Sequence, residues 1–168
     1  MKDFSPNSIQ EFITNEQQLV VGLLGLATLI LVAYLLPVPL RAWREKRRIR
    51  RAVKGIGARV MRDVNLPDGM GGMINIDFLV LADDAIRVID VKRYDGMIFG
   101  SANTDEWTQT VNSRSYRFPN PDVYLAQQLS AVRSIVGKLP VEGLHLFSDS
   151  ATFPWDKTDN VLQVKDLT

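Results

Sequence analysis

Residues 74–92 read INIDFLVLADDAIRVIDVK. Apolar and β-branched residues fill 74–82 and again 85–91, and Asp83-Asp84 separates the two runs. This pattern predicts two strands joined by a tight turn. A turn centred on Asp83-Asp84 sets Asp77 opposite Asp90, with Cβ atoms about 5 Å apart. Side chains alternate with period two, so Lys92 emerges on the same face as Asp90 unless a bulge intervenes. Two opposed carboxylates among Ile, Val and Leu repel each other and require a counter-charge. Lys92 supplies one, and a divalent cation supplies more; all-oxygen ligands suit Mg²⁺ or Mn²⁺. A metal on two carboxylates beside an ammonium suits phosphodiester hydrolysis, because it acidifies a bound water and neutralises charge on the phosphate. Lys92 can orient or deprotonate that water. From spacing alone, the plainer reading is an Asp–Lys ion pair on a solvated sheet face.

Outward from this hairpin, residues 58–66 alternate as a preceding strand, and Pro67-Asp68-Gly69 with Gly71-Gly72 forms a loop. Short strands are expected at 97–99 and 107–111. Residues 123–136 place Leu125, Leu129, Val132 and Val136 on one helical face, and Gly137 follows as a terminator. Residues 143–147 and 160–164 read as two further strands. The order suggests an α/β fold with a mixed sheet flanked by helices.

The near-zero net charge of +1 conceals three unequal parts. Residues 1–40 are mildly acidic, 41–62 carry ten bases against Glu45 alone, and 63–168 are acidic again. Residues 19–36, LVVGLLGLATLILVAYLL, hold no charge and rise about 27 Å as a helix, close to the thickness of a bilayer core. A core of the remaining size encloses such a helix poorly. A cleaved signal peptide wants a basic start and a small-residue exit, whereas this start is acidic and the exit is Pro-Val-Pro-Leu-Arg. The expectation is an uncleaved transmembrane helix over 19–40. A short extracytoplasmic N-terminus (1–18) precedes it, and a basic juxtamembrane segment (41–57) and a cytoplasmic domain (58–168) follow. The basic run RAWREKRRIRR (41–51) on the C-terminal side sets that orientation, with a helix over 41–54 also available to the domain. The run can also rest on anionic lipid or bind nucleic acid.

With no Cys, the chain has no disulfide and no thiolate site, and its single His145 rules out two-His zinc chemistry. His145 sits in the apparent strand GLHLF, where a core histidine is the expected role. The DGMGG loop (68–72) lacks the Lys-Ser/Thr ending of a phosphate loop. Trp107 and Trp155 can stack on bases, although packing is the commoner fate of a lone Trp. Arg93, Arg114 and Arg117 are candidates for a phosphate track, against which the acidic balance of 63–168 argues.

Several segments together resemble the nuclease-related domain family, a branch of the PD-(D/E)XK nuclease superfamily. They are RDVNLP (62–67), NIDFLVL (75–81), RVIDVKRYDGMIFG (87–100), EWTQ (106–109), FPNP (118–121) and a following Gln, either Gln127 or Gln128. The resemblance implies a restriction-endonuclease-like fold and metal-dependent hydrolysis of DNA or RNA. It implies that Asp77 and Asp90 bind metal, that Lys92 is catalytic, and that Gln127 (or Gln128) assists. The family usually has Glu-Thr-Lys where this chain has Asp90-Val91-Lys92. It also has a Gly-Glu pair on an early helix, which is missing here; Glu45, 19 residues before Val64, stands as the candidate third metal ligand. The competing class is a catalytically weak, membrane-tethered module that binds nucleic acid or protein.

Overall fold

A computed structural model describes residues 6–35, 37–155 and 157–167. The chain divides into two compact units, Met1–Arg44 and Glu45–Thr168. The first carries helix α1 (Pro6–Leu35) and the start of helix α2 (Pro37–Lys54). Proline opens α2 at a position where its missing N–H costs nothing. Large apolar side chains from Val20 to Leu35 are exposed, and the candidate span Val20–Lys54 that they open is long and apolar enough to cross a membrane. Residues 1–5, where the expected extracytoplasmic segment begins, and Leu36 lie outside the described residues.

The second unit opens inside α2. Ile49, Ala52 and Val53 fall on one helical face and are 1%, 3% and 0% exposed. They pack with Phe78, Val80, Ile89 and Leu146, while Arg51 and Lys54 on the other face are exposed. The tail of the basic segment thus serves the core as well as carrying charge.

The main sheet runs in the order β1 (Arg59–Pro67), β2 (Met73–Leu81), β3 (Ile86–Lys92), β7 (Val141–Phe147), β9 (Val161–Gln163). The first three strands are antiparallel, and β3, β7 and β9 are mutually parallel neighbours. Ala82 N–H donates to the Ala85 carbonyl at 3.0 Å, closing the turn around Asp83-Asp84. Along β3, Ile89 and Val91 join the α2-side cluster, whereas Ile86 and Val88 join a second cluster with Leu125 and Val132 of helix α3 (Pro121–Val136). The sheet is therefore covered on both faces, as parallel pairing requires. Helix α3 is capped by Asn120, whose side chain accepts from Asp122 N–H at 2.9 Å and donates to the Thr104 carbonyl at 2.8 Å. Gly143 lets α3 approach β7, since a Cβ there would stand 3.0 Å from Leu125 and Leu129.

A mixed α/β fold is found, but with two sheets. The second runs in the order β6 (Arg114–Pro119), β5 (Glu106–Val111), β4 (Gly96–Phe99), β8 (Ala151–Thr152). Strand β6 was not expected, because nearly all of its residues are exposed and no alternation marks it. Its turn, Asn112-Ser113, has φ of 48° and 63° at both residues without any glycine. Trp107 is buried in the cluster joining the two sheets with Ile98, Phe147 and Val161, and its indole N–H donates to the Ser101 carbonyl at 3.1 Å.

If the end of α2 belongs to the domain core, Ile49→Ala costs about 3 kcal/mol and Arg51→Ala less than about 0.5 kcal/mol. Urea unfolding followed by near-UV circular dichroism distinguishes them. Equal, small effects would detach the helix from the core.

Candidate functional site

The expected register holds along the hairpin, with Phe78 opposite Ile89 and Leu79 opposite Val88. The pairing stops one step before Asp77 and Asp90. In place of a ladder bond, an Asp77 carboxylate oxygen, Oδ2, accepts the Val91 N–H at 2.8 Å. On the other side of β2, Arg62 pairs with Phe78 and Val64 with Ile76, but Asp63 and Asp77 between them do not pair. Asp63 is left-handed, with φ of 50°. The chain consequently changes face here. Phe78 packs in the α2-side cluster and Ile76, two residues earlier, in the α3-side cluster; Val60 and Val64 divide the same way. Simple alternation along β2 therefore fails at Asp77, and the carboxylate lies at a fork between strands.

Asp77 opens onto a cleft of about 310 Å³. Lys46, Ile49 and Arg50 of α2 line it with Arg62 and Asp63 of β1, Phe78 of β2, Val91 of β3, and Arg93. Among the described residues, no carboxylate lies within ion-pair distance of Lys46, Arg50, Arg62 or Arg93. Four cations against the two carboxylates of Asp63 and Asp77 leave the cleft with an excess of positive charge that attracts an anion. Burial pushes the Asp77 carboxyl above its ordinary value; the Val91 N–H opposes this, and the charge of Asp90 adds to it.

Asp90 and Lys92 turn toward α3. Lys92 Nζ is 2.9 Å from Asp90 Oδ2 and 5.8 Å from the centroid of the Tyr124 ring. The same Oδ2 is 3.0 Å from His145 Nδ1, whose partner nitrogen Nε2 is 2.9 Å from Asp122 Oδ1. Asn160 Nδ2 also donates to that oxygen at 2.7 Å. His145 thus bridges the carboxylates of Asp90 and Asp122. Burial opposes ionisation of Asp90, yet hydrogen bonds from His145 and Lys92 outweigh it and hold the carboxyl below the ordinary range.

Gln128, not its neighbour Gln127, reaches the sheet. It is 1% exposed, and its Nε2 donates to the Asn75 carbonyl at 2.8 Å, which Tyr124 Oη also reaches at 3.1 Å. Gln127 is exposed. Glu45 is half-buried on α2, one turn before Ile49, but does not line the cleft that Lys46 and Ile49 line. Arg117 is at the surface, 3.8 Å from Glu106. The sequence marks His145 only as a core residue and carries no signal for Asp122 or Asn160. The first is indeed fully buried, but it is buried as the link between the carboxylates of Asp90 and Asp122. The parallel pairing of Asp90 with His145 follows a crossover through α3, so no local turn reveals it.

The profile of the nuclease-related domain matches residues 41–148. The chain belongs to the nuclease-related domain family. An uncharacterized protein of Bacillus anthracis is 32% identical over 62 residues, which is 37% of this chain and 29% of that relative. The match thus covers less than a third of the relative's length. No solved structure matches.

A divalent metal is the expected companion of such a nuclease-related domain. Among the described residues, no three His, Asp or Glu side chains converge as a metal cage. The carboxylates that the chemistry of an oxygen-seeking cation would call on are Asp77, which opens onto the α2 side, and Asp90, which turns toward α3. They come from adjacent strands, the charge of Asp90 raises the cost of ionising Asp77, and among the described residues no protein donor reaches Oδ1 of either. Mg²⁺ is commonly held by one or two carboxylates, with water completing its shell.

The raised Asp77 carboxyl sets a test. A folded-state value above the unfolded one means that Asp77 favours folding when protonated and opposes it once pH rises through the folded value. Asp77→Asn therefore raises Tm at neutral pH in the presence of a chelator, and the gain shrinks as pH falls through the raised folded value and is gone below about pH 4. A variant no more stable than wild type at pH 7 would contradict the burial argument.

Proposed function

We propose that this protein is a membrane-anchored, Mg²⁺- or Mn²⁺-dependent nuclease acting on DNA or RNA phosphodiesters. The observation that carries the reading is the cleft in which four unpaired cations surround Asp77. Lys46, Arg50, Arg62 and Arg93 would hold the phosphate backbone through charge-assisted contacts. Asp77 and Asp90 would hold the metal, and Glu45 is the outlying candidate for a third ligand. When bound, the ion supplies an acidified water and charge neutralisation at the phosphate. Lys92, kept in place by Asp90 and the Tyr124 ring, would orient the attacking water and offset charge developing on the phosphate. Gln128 fixes the backbone of β2 two residues before Asp77, which is a positioning role; Gln127 has no contact of this kind.

A specific feature favours the alternative of a weak enzyme or pure binder. Oδ2 of Asp90 is already engaged by two donors, and Lys92 faces α3 while Asp77 opens onto the α2 side. Cleavage decides between them. With Mg²⁺ or Mn²⁺, wild-type protein should cut nucleic acid and lose that activity on chelation, and Lys92→Ala should be about 10³-fold slower. A Lys92→Ala rate equal to wild type would assign the activity to a contaminant, and binding without cutting would establish the tethered binder.

The apolar stretch of sequence over 19–40, followed by the basic run, supports a single span with the N-terminus outside and the domain in the cytoplasm. A reporter fused to the C-terminus should be active only when retained in the cytoplasm. Activity only on the outer side would reverse the topology.

A further inference from the structure

A second cavity, of about 570 Å³, is lined by Asp95, Gln109, Val111, Asn112, Arg114 and Tyr116. Its wall is the β5–β6 hairpin. Gln109 is the cross-strand partner of Tyr116, and Val111 that of Arg114, so these four side chains share one sheet face. Gln109 Nε2 donates to the Asp95 carbonyl at 2.8 Å, which ties the hairpin to the strand entering β4. Among the described residues, Arg114 has no carboxylate within ion-pair distance, and the Tyr116 ring is 52% exposed.

The two cavities take lining residues from one short piece of chain. Arg93 lines the basic cleft and Asp95 the second cavity. Two residues of chain span at most about 7 Å. The chemistry of the two differs. The first offers cations; the second offers an aromatic face, a guanidinium, two amides and a carboxylate. An aromatic face stacks on a base, and amides and a carboxylate meet the donors and acceptors of a base edge. In a duplex those base faces are covered by stacked neighbours. Only an unpaired nucleotide presents both its face and its pairing edge.

We propose that the second cavity is a nucleobase subsite. Single-stranded nucleic acid would run from the basic cleft, which takes its phosphates, onto Tyr116, which stacks a base. The proposal rests on reading the cleft as a nucleic-acid site and adds the strandedness of the substrate.

The test uses the full chain in detergent with a chelator present, so that nothing is cut. Its probe is a fluorescent 12-nucleotide single-stranded DNA, compared with the same sequence as a duplex. The single strand should bind more tightly. Tyr116→Ala should weaken single-strand binding about tenfold, leave duplex binding unchanged and keep the salt slope. Tyr116→Phe, which retains the ring, should bind as wild type. Arg50→Gln should weaken both probes and lower the single-strand salt slope by about 0.7. If Tyr116→Ala binds the single strand like wild type while Arg50→Gln does not, the base subsite is overturned and the phosphate cleft stands. A preference for the duplex also overturns the subsite. If neither variant has any effect, the nucleic-acid reading of the cleft falls with it. Should Tyr116→Ala fail to fold, Tyr116→Leu keeps apolar bulk without a π face and carries the same expectation.

Discussion

A carboxylate almost wholly removed from water, Asp90, organises the domain around itself. Left alone, such a group would neutralise or unfold its surroundings. Here Lys92 from its own strand and His145 from the neighbouring strand both donate to it. The histidine is in turn held by Asp122 in the first turn of α3, which Asn160 also engages. One buried charge thus fastens β3, β7, the loop before β9 and the start of α3. Asn120 then matters twice, as the helix cap and as the residue that fixes the turn carrying Asp122.

The second organising feature is the change of face at Asp63 and Asp77. It leaves β2 unpaired on both sides at one residue and puts a carboxylate where ladder bonds would run. Charge follows geometry. The acidic balance of residues 63–168 argues against affinity for polyanions only when averaged. Lys46, Arg50 and Arg62 come from the basic stretch and Arg93 from the acidic one, and together they surround the cleft. Local placement, not net charge, decides what approaches.

The hairpin register and both central strands were legible because a two-residue turn fixes pairing arithmetically. The helix expected over 123–136 was legible from its apolar spacing and its Gly stop, and it begins two residues earlier, at Pro121. What could not be read is non-local or unmarked. The face change depends on a left-handed Asp63, a conformation open to Asp and not announced by it. Strand β6 has no buried stripe, and its turn lacks glycine. The partnership of Asp90 with His145 arises from a parallel pairing whose register no loop sets. Gln127 and Gln128 differ by one helical step, about 100° of rotation, and motif spacing alone does not separate them.

Asp90 and His145 lie 55 residues apart in the chain, and the three long strands of the second sheet and α3 intervene. During synthesis, the hairpin bearing both aspartates and Lys92 emerges well before the imidazole it needs. Until β7 is made, Asp90 has no ring to donate to it and no strand to shield it from water. The centre consequently assembles late, in a single closure of a long loop, which slows folding relative to local contacts. A nascent chain halted before residue 145 carries the hairpin without its imidazole anchor.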